Sequence, residues 1–87
     1  MQNFNQKQEA ELLVLEDITF SSNPQGMGVY SFLANIEFPG KSLMEKQTIS
    51  IIKEMVSEKK IATIKKGVKI KALISKSDAS YFVYKIL

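Results

Sequence analysis

Apolar and polar positions alternate most cleanly in the last third of the chain. Val68, Ile70, Ala72 and Ile74 fall on one side of an extended chain, and Lys69, Lys71, Leu73 and Ser75 on the other. Successive strand side chains point to opposite faces, so this stretch predicts a strand with one apolar and one basic face. The polar run 76–80, KSDAS, turns the chain. Residues 81–87, YFVYKIL, follow as a second strand rich in aromatic and β-branched side chains. Upstream, residues 29–38 alternate in the same way. Tyr30, Phe32, Ala34, Ile36 and Phe38 share one face, and Ser31, Leu33, Asn35 and Glu37 the other. Residues 47–52, QTISII, predict a further strand with Ile49 and Ile51 inward.

The first strand is expected over residues 9–20. Leu12, Leu13, Val14 and Leu15 are apolar on both sides, so this strand is buried on both faces or changes faces partway. Residues 8–17 also suit a helix by propensity, and residues 43–56 nearly fit a helical period. Residues 21–28, SSNPQGMG, form the clearest loop, and Pro39-Gly40 closes the strand after it. Over residues 54–65 the period turns helical. Ile61 and Ile64 lie three apart, Met55 and Val56 can join them inward, and Gly67 suits the residue that ends a helix.

The order is five strands with one short helix between the third and fourth. That is the order of the OB-fold, a small five-stranded barrel. Closing the sheet hides edges that so short a chain could not otherwise cover. The expected fold is therefore all-β with one short helix. Residues 9–87 form a single domain, and residues 1–8 a loosely ordered segment from which Phe4 can dock.

Composition narrows the chemistry. The 87 residues contain no Cys, His, Trp or Arg. Disulfides, thiolate nucleophiles and the usual zinc sites are excluded, and the commonest general base is missing. No metal or cofactor is expected. Glu16 and Asp17 are adjacent, but neighbours on a strand face opposite ways, and 21–28 fits no phosphate-loop pattern, so an enzyme is not expected. No apolar run approaches the roughly 20 residues that span a bilayer. The N-terminus lacks the pattern of a secretory signal, and a cytoplasmic location is expected. Residues 1–52 hold three lysines against six acids, and residues 53–87 hold nine lysines against three. That asymmetry favours an acidic partner, nucleic acid first. Lysine without arginine favours electrostatic binding that tolerates sequence. A lysine-rich surface that only solubilises is the plainer reading.

Two stretches carry a resemblance. Residues 59–75, KKIATIKKGVKIKALIS, pass from a short helix through Lys-Lys-Gly into an alternating strand. Residues 26–32, GMGVYSF, run from a Gly-rich loop into an aromatic second strand. The chain resembles the OB-fold single-stranded DNA-binding proteins of bacteria and phages, by pattern over most of its length. It departs from them in ending on Tyr84-Lys85-Ile86-Leu87 rather than an acidic tail, and in offering Tyr and Phe where they often use Trp. The resemblance implies single-stranded DNA as partner, favoured over RNA, in replication or transfer of phage or mobile-element DNA. It also implies a homo-oligomer, dimer or higher.

Single strands are held by lysines that track phosphates and by aromatic faces that stack bases. Tyr30, Tyr81 and Tyr84 are the candidates for stacking, with Phe32 behind them, while Phe20, Phe38 and Phe82 read as core. Tyr81 and Tyr84 fall on opposite faces. Lys69, Lys71, Lys76 and Lys85 are the candidates for phosphate. Four such contacts would give a salt slope of roughly −3. The alternative is a protein-interaction module, or accessory subunit, on the same barrel.

Overall fold

In the computed structural model, residues 7–22, 24–77 and 80–87 are described. The strands are β1 (Gln8–Val14), β2 (Thr19–Ser22), β3 (Gly28–Glu37), β4 (Met44–Ile52), β5 (Lys69–Ser77) and β6 (Ser80–Ile86). They run in the order β1-β5-β6-β4-β3-β2, and β1 also pairs with β3. That last pairing closes a five-stranded barrel, with β4 and β6 parallel and the other pairs antiparallel. This is the expected OB-like barrel.

The single long first strand is in fact two. β1 lies between β5 and β3, the chain bends over residues 15–18, and β2 resumes against the start of β3. The Leu15 amide still donates to the Leu33 carbonyl at 2.9 Å across the bend. Leu12 and Val14 point into the barrel, while Leu13 and Leu15 are half-buried on its outside. A strand apolar on both sides thus serves a curved sheet, and the helix over residues 8–17 does not form. Residues 44–52 are likewise strand. Their N-terminal end carries a bulge opposite Asn35, where Lys46 adopts φ 54° and its amide donates to Asn35 Oδ1 at 3.0 Å.

The helix is much shorter than residues 54–65. A 3-10 turn covers Lys53–Met55 and one α-turn, α1, covers Glu58–Ile61, with Ser57 Oγ accepting from the Lys60 amide. Thr63 stops it. Its hydroxyl donates to the Lys60 carbonyl at 2.7 Å, and its amide donates there too, so that carbonyl no longer continues the helical ladder. Val56, Ile61 and Ile64 are buried as expected, but Met55 is exposed. Gly67 does not end the helix. It sits at φ 89° in the turn closed by the Val68 amide on the Lys65 carbonyl, and its own amide donates to Val14 at 2.8 Å.

The interior is filled by Phe32, Leu12, Ile36, Ile49, Ile51, Ile74, Val14 and Val83. A second bulge, in β6, has a consequence for the surface. Leu73 pairs with Lys85 but Ile74 pairs with Val83, leaving Tyr84 as the extra residue. The inward positions of β6 are therefore Tyr81, Val83 and Ile86, with a phase change between the last two. Within the polar run 76–80, expected as a turn, β5 extends to Ser77 and β6 starts at Ser80. Asp78, Ala79 and Asn23 lie outside the described residues, as do residues 1–6 with Phe4.

Candidate nucleic-acid interface

The residues expected to bind do not meet on one face. Phe32 is 2% exposed and belongs to the core, because even-numbered positions of β3 point inward. Tyr81 is 7% exposed. Its hydroxyl lies 3.7 Å from Met44 Sδ, its ring centroid is 6.3 Å from that of Phe38, and Lys76 Nζ lies 5.4 Å from its own. Tyr30 is half-buried and faces inward at the end of the barrel. Tyr84, at the bulge, is half-buried with Lys7 Nζ 4.6 Å from its ring.

The lysines of β5 keep acidic company. Lys69 and Lys71 project outward, as alternation predicts, but β5 pairs with β1, where Glu9, Glu11 and Leu13 also face out. Lys69 Nζ is 3.8 Å from Glu11 Oε1, and Glu11 stands in register between Lys71 and Glu37. This surface mixes both signs and is not a basic groove. Lys85 is exposed beside Leu73 on the next strand.

The outside of β3, β4 and β6 differs. No carboxylate occurs in residues 29–35, 48–52 or 82–85. Register aligns Thr19, Ser31, Ser50, Phe82 and Ser75 in one row across five strands. Val29 and Ile52 form the next row. Phe82 was expected in the core. It is instead half-buried on the outside, because it lies between inward-pointing Tyr81 and Val83. Ser50 and Ser75, both buried, stand on either side of it. Tyr84 and Lys7 border this face on one side. Lys53 follows Ile52 at the end of β4, and Lys85 follows Tyr84.

Phe20 was also expected in the core and is 51% exposed. It pairs with Tyr30 across β2 and β3, with ring centroids 5.0 Å apart and planes at 57°. Lys53 Nζ is 5.9 Å from its ring. The sequence carried a faint signal for this position: the acidic pair Glu16-Asp17 interrupts the first strand just before it. Nothing in local alternation distinguishes Phe82 from a core residue, since its strand is apolar on both sides.

Among the described residues no three His, Cys, Asp or Glu side chains cluster to hold a metal, and no helix is long and apolar enough to cross a membrane. Comparison with protein-family models, with curated proteins and with solved structures finds no match.

Proposed function

We propose that this protein binds single-stranded nucleic acid without strong sequence preference, and that the outer face of β3, β4 and β6 is where it does so. The observation that carries this reading is the part of that face free of carboxylates, residues 29–35, 48–52 and 82–85, on which Phe82 and Tyr84 are half-buried and lysines stand at the margin. Aromatic faces stack unpaired bases irrespective of identity, and ammonium groups follow the phosphates. The same face and the adjoining loops are where OB-folds take up oligonucleotides. The likeness to bacterial and phage single-strand binders favours DNA over RNA, a cytoplasmic role in replication or transfer of mobile-element DNA, and a homo-oligomer.

Titrating a labelled oligo-dT strand at several salt concentrations tests the reading. Lys7 and Lys85 stand around the face, and Lys53, at the end of β4, holds its ammonium group on the opposite side, over Phe20. Three phosphate contacts correspond to a slope of log affinity against log salt of about −2. No binding, or a slope near zero, would remove it.

A second reading has its own observation. Leu43 is 50% exposed beside a groove of about 220 Å³ lined by Leu13, Asn35, Glu11, Glu37 and Lys69. An apolar floor with charged walls suits a protein partner. Retained partner binding by a chain that ignores oligo-dT would favour this accessory-subunit reading.

A further inference from the structure

We infer that Phe20, supported by Tyr30 and Lys53, is a separate stacking site for one unpaired base, at the end of the β2–β3 ribbon. The inference rests on the single-strand reading above and adds to it a site on the opposite side of the ribbon from Phe82. Phe20 and Tyr30 face the barrel-interior side, yet β2 extends past the barrel, so Phe20 has no core to enter. All four residues of β2 are exposed.

Three features hold the ring in place. The Tyr30 ring, tilted at 57° and 5.0 Å away, supports it from the side. Gly28 lies beneath it: a Cβ there would stand 2.8 Å from both Cε1 and Cζ of Phe20 and 3.3 Å from Cδ of Lys53. The ring therefore rests on bare backbone, in space that any other residue would occupy. Lys53 reaches it from the end of β4, with Nζ 5.9 Å from the ring centroid.

Phe20 is the most exposed large apolar side chain among the described residues. The ring is kept on a glycine seat, with the Lys53 ammonium group over it at 5.9 Å from the centroid. A flat, electron-poor, anionic ligand fits that arrangement, namely a base on the ring with its phosphate at the ammonium group. The neighbours of this ring are Tyr30, Lys53 and the backbone of Gly28.

The test measures anisotropy of a labelled oligo-dT strand and of an abasic strand of equal length, with wild type, Phe20→Ala and Gly28→Ala. Each protein is first shown to melt cooperatively. Phe20→Ala should bind oligo-dT about 5- to 150-fold more weakly, the loss of one stacked base, and bind the abasic strand like wild type. Gly28→Ala keeps the ring but displaces it, and should weaken oligo-dT in the same direction. Equal oligo-dT affinities for wild type and Phe20→Ala would overturn this site alone, leaving the β3–β4–β6 face in place. Failure of wild type to bind either strand would overturn the function and the site with it. Equal losses on both strands would show that stacking is not what Phe20 supplies.

Discussion

The outside of β5 and β1 and the outside of β3, β4 and β6 belong to the same barrel and obey the same alternation, yet they offer opposite surfaces. The first carries the most conspicuous lysines of the sequence, Lys69 and Lys71, and neutralises them with Glu9, Glu11 and Glu37. The second holds far fewer charges, and between its strand centres no acid at all. A lysine stripe read along one strand is half of a surface; the neighbouring strand supplies the other half. The field a polyanion meets is set by pairing partners from opposite ends of the chain, here residues 9–13 against 69–73.

The largest expected effect separates aromatic rings that look alike in sequence. Phe32→Ala should cost about 3–5 kcal/mol of stability, as a fully buried ring does. Phe82→Ala, at a half-buried position, should cost about 1 kcal/mol, the central value for point substitutions. Urea unfolding of the two variants measures this, and equal losses would return Phe82 to the interior. Next in size is binding. Tyr84→Ala and Phe82→Ala should each weaken oligo-dT by about 1–3 kcal/mol. An unchanged affinity for both would move the interface off this face.

Smaller still is the change in salt dependence. Lys53→Gln and Lys7→Gln should each reduce the slope by about 0.7, while the Lys69→Gln/Lys71→Gln double variant should leave it unaltered. A double variant that lost more slope than Lys53→Gln would mean that the β5 lysines reach the strand despite their acidic neighbours. The smallest effect concerns Glu11. Its pair with Lys69 is exposed, so Glu11→Gln should change stability by about 0.5 kcal/mol or less. Removing that carboxylate should tighten oligo-dT slightly, read in the same titration, if the mixed face only repels.

Much of the fold was legible because strand alternation is local. The inward sets Phe32-Ala34-Ile36, Ile49-Ile51 and Ile70-Ala72-Ile74 follow from period two alone and are buried, whereas Val68, expected with the last set, lies before β5 and is exposed. The OB-like barrel followed from the order of strands and one short helix along the chain. The helix length was misread because residues 54–65 are good helix formers, and the Thr63 hydroxyl that ends α1 early is a weak cue in sequence. Gly67 was recognised as a residue with a special backbone conformation but placed in the wrong turn.

The site was legible only in its ingredients. Residue by residue, the chain dictated which side chains point inward along each regular strand, because that depends on backbone geometry over two residues. It did not dictate which strands lie side by side, where Tyr84 would be inserted as a bulge, or that β2 would outrun the barrel and leave Phe20 outside. Those outcomes depend on register between segments up to about 60 residues apart in sequence. Such pairings are chosen by the fit of the whole closed sheet, and side-chain exposure follows from them.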